Sequence, residues 1–169
     1  MFDELVLGVD PGMAAVGLAL VRRGDRSPRV DRAETFRTPA GLPVSERLRR
    51  IYARVQEILL EEAPVAMAME RLMWGRNAPS GMEVARASGV IVLAAAQARI
   101  PVEEYAPLEV KMAVTGVGNA TKETVRHGLV RLLQVEGVPD DPDAADAVAV
   151  AVCHLQQSRL RERQRAAVR

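Results

Sequence analysis

Along the first third of the chain the apolar residues come in short, dense runs. "LVLGVD" is apolar or glycine until its final acid, Asp10, and Pro11-Gly12 follow. Such a run bounded by a turn signal predicts a buried strand from about Glu4 to Asp10. "AAVGLALVRR" predicts a second strand and "RVDRAETFRT" a weaker third, with hairpin turns near Gly12 and at "RGDRSP". The period then changes. In "PVSERLRRIYARVQEILLEE" the apolar residues Leu48, Ile51, Val55, Ile58 and Leu59 recur at helical spacing, with Ser45 as a candidate cap. "VAMAME" is another short apolar run closed by an acid, Glu70. A long helix is predicted over "SGMEVARASGVIVLAAAQAR" and a short strand in "PVEEYAP". Helices follow in "LEVKMAVTG", in "TKETVRHGLVRLLQ" and in "DDPDAADAVAVAVCHL".

The order is three strands, helix, strand, helix, strand, helices. It predicts an α/β domain, a mixed five-stranded sheet flanked by helices. The helix after the third strand lets the fourth run parallel to the first, and sites in such sheets gather beyond the carboxyl ends of parallel strands. There is no internal repeat, low-complexity tract or long linker.

Bulk composition narrows the class without naming a chemistry. The 169 residues suit one domain with a real core. At 49% hydrophobic and 27% charged residues the chain reads as an ordinary water-soluble protein, and no apolar run is long enough for a bilayer. "MFDELVLGVD" carries acids early and lacks a basic leader region, so a cytoplasmic location and no membrane association are expected. The single Cys153 lies among apolar residues and reads as a small core side chain. A net charge of +1 does not announce a polyanion partner, so the distribution of charge matters more. "RLRERQRAAVR" holds five Arg and one Glu. Residues 158–169 therefore read as a flexible basic tail beyond a domain of residues 1–157.

The acids carry the chemistry. Asp10 and Glu70 each close a run with almost no other polar side chain. If their strands are parallel neighbours, the two carboxylates emerge at one sheet edge, about 5 Å apart. In the last helix Asp141-Pro142 reads as an N-cap with Pro at the first helical position. Acids there suit the helix dipole, which accounts for Asp140, Asp141 and in part Asp143. Asp146 stands a turn further in, at i+3 from Asp143, with apolar residues from Ala147 to Cys153. Capping with a solvated edge is one reading of that pair. The other is that the helix completes a four-carboxylate cage with Asp10 and Glu70. An all-oxygen cage selects Mg²⁺ or Mn²⁺ over zinc. Two such ions, about 4 Å apart, suit in-line attack of water on a phosphodiester. Lys111, Lys122, Arg71 and Arg76 are either solvated surface charges or phosphate contacts. Trp74, with Met73 before it, is either a loop anchor or a wedge between bases. His127 and His154 receive no role.

Four segments, in order, resemble the RuvC family of bacterial Holliday junction resolvases. They are "LGVDPGMAAVGLALV", "AMERLMWGRNAPSGMEVARASGV", "EYAPLEVKMAVTGVGNATKETV" and "DAADAVAVAVCHL", and the likeness spans residues 4 to 157. The resemblance implies a ribonuclease H-like fold and a homodimer with Mg²⁺ or Mn²⁺. It implies an endonuclease that cuts two symmetric strands of a four-way DNA junction in recombination and repair, working with the branch-migration proteins RuvA and RuvB. Asp10, Glu70, Asp143 and Asp146 match its metal-binding acids, and Lys111 and Lys122 its lysines near the DNA backbone. Relatives often carry Phe three residues after the Glu, where this chain has Met73 followed by Trp74. A two-fold dimer matches the near two-fold symmetry of a junction. Small residues Ala85, Ser88, Gly89 and Ala96 on the long helix permit close helix packing, within the chain or across a dimer.

Other readings explain less. An ATP-binding domain of the actin and sugar-kinase type shares the first hairpin but needs a second lobe. A non-enzymatic DNA-binding module leaves Asp10 and Glu70 unexplained. A ribonuclease H-like nuclease for another branched or RNA-containing substrate keeps the acids and changes only the substrate's shape.

Overall fold

A computed structural model of the chain describes residues 4–73 and 78–167. Strands β1 (Leu5–Asp10), β2 (Ala15–Arg22) and β3 (Arg29–Arg37) form an antiparallel meander. Helix α1 (Val44–Glu62) carries the chain back, and β4 (Ala66–Glu70) pairs parallel to β1. Helix α2 (Ala78–Gln97) does the same for β5 (Val102–Tyr105), parallel to β4. The mixed sheet has the order β3-β2-β1-β4-β5. Helices α3 (Pro107–Thr115) and α4 (Lys122–His127) lead to a π-helical turn (Gly128–Leu132) and to the long α5 (Pro142–Ala167).

The sheet is buried on both faces, as the unbroken apolar runs of β1 and β4 require. Alternation sorts the residues. Leu7, Val9, Met67 and Met69 pack with Ile51, Val55, Ile58 and Ile91 of α1 and α2. Val6, Ala19 and Ala68 pack with α5. Asp10 and Glu70 continue the α5-facing rows of Val6–Gly8 and Ala68, so the acids point to the face that α5 covers.

Two glycines bring α5 unusually close. A Cβ on Gly8 would lie 2.1 Å from the carbonyl oxygen of Ala147, and one on Gly17 would lie 2.0 Å from that of Asp143. Both are backbone contacts inside a packed helix, so neither position tolerates a side chain without moving α5.

Three local expectations change. Ser45 does not cap α1. The helix begins at Val44 with Pro43 at the cap, and Pro43 O accepts the N–H groups of Glu46 and Arg47. "TKETVRHGLVRLLQ" is not one α-helix. Leu133 N–H reaches back to Gly128 O at 3.0 Å, widening the turn. Gly128 also lies against Val114 O, where a Cβ would come within 2.8 Å, so the segment follows α3 rather than a regular spiral. Finally, α5 does not stop near residue 157 but continues to Ala167.

Candidate metal centre

Register builds the site. Val9 pairs with Met69, so the next residues, Asp10 and Glu70, leave adjacent parallel strands side by side. Asp141 caps α5 with its side chain, accepting N–H groups of Asp143 at 3.1 Å and Ala144 at 3.3 Å. That is the cap the Asp-Pro pair predicts. One carboxylate oxygen from each of Asp10, Asp143 and Asp146 falls within 4.8 Å of the others, and all three residues are half-buried. Glu70 lies outside that triad. It lines the same cleft, of about 250 Å³, together with Asp10, Asp146, Lys111 and Lys122. Pro107, Val110, Val125 and Ala149 make its apolar walls.

The electrostatics are those of an acid cluster with too few cations. Burial pushes the Asp10 carboxyl up to about 7. Glu70 and Asp146 push it the same way, Lys122 pulls it back and Asp143 adds a smaller push. Glu70 is raised as well, by burial first and then by Asp146, against Lys122 and Lys111. Lys122 Nζ donates to Asp146 Oδ2 at 2.5 Å, and this bond holds the ammonium above its ordinary range. The donor set is wholly carboxylate oxygen, and its members disfavour one another's charge. Both features fit a hard divalent cation.

The remaining candidates fall as follows. Met73 follows β4 and is exposed. Trp74 and Arg76 lie outside the described residues. His127 is exposed on α4. His154 is buried near the middle of α5, about two to three turns beyond the acids. Its Nδ1 pairs with Tyr105 OH at 2.9 Å, and its Nε2 lies 4.0 Å from Glu4. Cys153 is buried, which pushes its thiol up to about 12. Sequence reasoning missed Gly8 and Gly17. The signal was present, since each is a glycine inside an otherwise apolar strand, where close backbone approach is the usual cause.

The sequence profile described as "Crossover junction endodeoxyribonuclease RuvC" matches residues 6–154. This chain belongs to the RuvC family. Proteins of that name from Moorella thermoacetica and Thermotoga maritima are 44% and 41% identical to it. The matches cover 95% and 92% of this chain and 96% and 93% of theirs. Thermus thermophilus RuvC, solved in complex with a Holliday junction substrate, superposes with a TM-score of 0.85 at 35% identity, over 93% of this chain and 96% of that one. The yeast mitochondrial Holliday junction resolvase Ydc2, at 14% identity and a TM-score of 0.66, shares the fold. The RuvC family is one of nucleases.

Proposed function

We propose that this RuvC-family chain resolves four-way DNA junctions by metal-dependent, paired nicking during recombination and repair. The observation that carries the reading is the convergence of Asp10, Asp143 and Asp146 within 4.8 Å, with Glu70 lining one cleft alongside Asp10 and Asp146. Asp10, Glu70, Asp143 and Asp146 would hold Mg²⁺ or Mn²⁺, two ions per site. When bound, such ions supply a nucleophilic water near neutral pH and neutralise charge on the leaving oxygen.

The chain's own groups bind and orient the strand. Lys111 lines the cleft beside Glu70 and offers its ammonium to the backbone of the strand to be cut. Lys122 lines the same cleft, tethered to Asp146, and offers a second cation to the phosphate. The apolar walls Val110, Val125 and Ala149 keep the acids poorly solvated, which strengthens every charge interaction there. Met73 and Trp74 serve as the wedge that disturbs stacking at the junction centre, and Arg76 adds a backbone contact.

The active form is a homodimer. On α2, Met82, Val92 and Leu93 are exposed large apolar residues, with Gly89 and Ala96 beside them. A second copy covers this face and presents two clefts to the two symmetric strands. RuvA and RuvB are its partners in branch migration, and its place of action is the cytoplasm. No helix among the described residues is long and apolar enough to cross a membrane. Residues 1–157 form the nuclease domain, and the Arg-rich segment 158–169 is an appendage to it.

The test is a cleavage assay with labelled four-way junctions and matched linear duplexes, in Mg²⁺, Mn²⁺ or EDTA. Paired nicks that need metal and occur on the junction alone are the expected result. Binding without cuts, in both metals and across varied junction sequences, would overturn it.

A further inference from the structure

Helix α5 carries half of the acid cluster, and its first turn is gripped from the far edge of the sheet. The Asp141 carboxylate does more than cap the helix. Its Oδ1, which accepts the N–H groups of Asp143 and Ala144, also accepts the Thr35 hydroxyl from β3. Its Oδ2 accepts Arg37 Nη2, also from β3, at 3.2 Å. One carboxylate thus joins two elements that are distant in sequence. Register places this joint in line with the metal cluster. Asp10 pairs with Gly17, and Gly17 pairs with Thr35. Along that row β1 supplies an acid, β2 supplies room for the Asp143 carbonyl, and β3 supplies the hold on Asp141.

The hold has a mechanical reason. A cap satisfies the N–H groups of a helix but does not fix the helix against its sheet. On the α4 side Lys122 holds Asp146 and Arg126 pairs with Asp140; on the sheet side the polar hold on the first turn comes from β3. Where α5 crosses β1 and β2 near the site, Gly8 and Gly17 lie against Ala147, Ala151 and backbone, so few side chains there key the helix to the strands. Ligand oxygens must nonetheless be placed to within about half an ångström for a metal centre to work. A polar latch from β3 to the cap supplies that placement.

We propose that Thr35 and Arg37 are positioning residues for the metal centre: by holding Asp141 to β3 they fix the first turn of α5 where Asp143 and Asp146 meet Asp10. The proposal rests on the reading of these acids as metal ligands. Thr35 is half-buried and takes the larger share, while Arg37 is exposed and its ion pair is screened.

The experiment is calorimetric titration of Mn²⁺ into the DNA-free protein, with thermal melts and with junction binding in EDTA. Thr35→Val keeps the shape and loses the hydroxyl. It should raise the Mn²⁺ dissociation constant about tenfold, the scale of one hydrogen bond to a charged group. Thr35→Ser should restore it to within about twofold of wild type, and Arg37→Gln should raise it about twofold. Junction affinity in EDTA should not change, and saturating Mn²⁺ should recover most of the cleavage by Thr35→Val. If Thr35→Val folds poorly, Arg37→Gln at the surface still reports the weaker half of the latch. Unchanged Mn²⁺ affinity in a folded Thr35→Val protein, whatever its melting temperature, overturns the proposal and leaves the metal site standing. Asp10→Asn separates the two failures. If wild type shows no Mn²⁺ binding that Asp10→Asn removes, the metal-ligand reading falls and the latch falls with it.

Discussion

The two faces of the sheet are made of residues of different size. Toward α1 and α2 the strands present Leu5, Leu7, Val9, Leu18, Leu20, Met67 and Met69, met by Ile51, Ile58, Leu59 and Ile91. Toward α5 they present Val6 and Val21 with the small Gly8, Gly17, Ala19 and Ala68, and the small residues are met by Ala147 and Ala151. The first face is thick and buries most of the large side chains, so it supplies most of the apolar stabilisation. The second is thin and gives up some of that burial so that helix backbone rests on strand backbone. Stability tolerates many ways of filling a volume. A carboxylate cluster needs one separation between two elements, and only the thin face provides it.

The comparison breaks most sharply at the acids themselves. Asp146→Asn should leave the fold and junction binding intact and reduce cutting by about a thousandfold or more. Retained cutting in a Mg²⁺ or Mn²⁺ assay would sink the metal reading. Gly17→Val comes next. Its side chain meets the Asp143 carbonyl, so α5 must lift. Cleavage and Mn²⁺ binding should both disappear, with a stability loss of roughly 2–3 kcal/mol from overpacking. Ile51→Ala is the matching change on the thick face, at a side chain with no exposure. A loss of about 2–5 kcal/mol in chemical denaturation is expected, with unchanged Mn²⁺ affinity in the folded protein. If Ile51→Ala weakened metal binding as much as Gly17→Val, the division of labour between the faces would be wrong.

Legibility follows the same division. The thick face could be read from the sequence because large apolar residues at period two and period 3.6 announce themselves. The order of elements and the parallel pairing of β4 with β1 were legible for that reason. So were Asp10 and Glu70, since an acid closing an apolar run has few explanations. The thin face is quieter. Gly17 in "AAVGLAL" looks like any small residue until the helix that needs its space is placed upon it. Thr35 and Arg37 lie in the strand with the weakest pattern, and their partner Asp141 is more than a hundred residues away. Local periodicity contains no information about that distance. The failure of Ser45 as a cap is of another kind, in which Pro43 with its fixed φ starts the helix two residues earlier than side-chain chemistry suggests.

The faces should also respond oppositely to pH. Asp10 has a folded-state value of about 7 against 3.8 for the free side chain, so the folded state binds its proton more tightly than the unfolded one. Its contribution to stability is complete below about pH 4 and is lost as pH rises through about 7. Asp10→Asn removes this dependence and should stabilise the metal-free protein above pH 7 by on the order of 2 kcal/mol. Melts in EDTA from pH 5 to pH 8 should show the advantage of Asp10→Asn growing with pH. A difference that stays flat would mean that Asp10 is better solvated than its burial implies. Substitution on the thick face lowers stability at every pH. Here, on the thin face, removing a charge raises it at the expense of function.

The smallest effect expected concerns a residue that belongs to neither core. Lys111 reaches the cleft from α3 and lowers the Glu70 carboxyl, opposing the burial that raises it. If its ammonium also meets a phosphate, Lys111→Met should weaken junction binding a few-fold at moderate salt. It should also flatten the plot of log affinity against log salt by about one unit of slope. The two roles separate by condition. A phosphate contact acts in EDTA as well as in Mg²⁺, because it needs only the polyanion. A role confined to balancing the acids would leave the salt slope unchanged and would alter Mn²⁺ affinity instead. Measuring both on one variant assigns Lys111 to the DNA or to the acids.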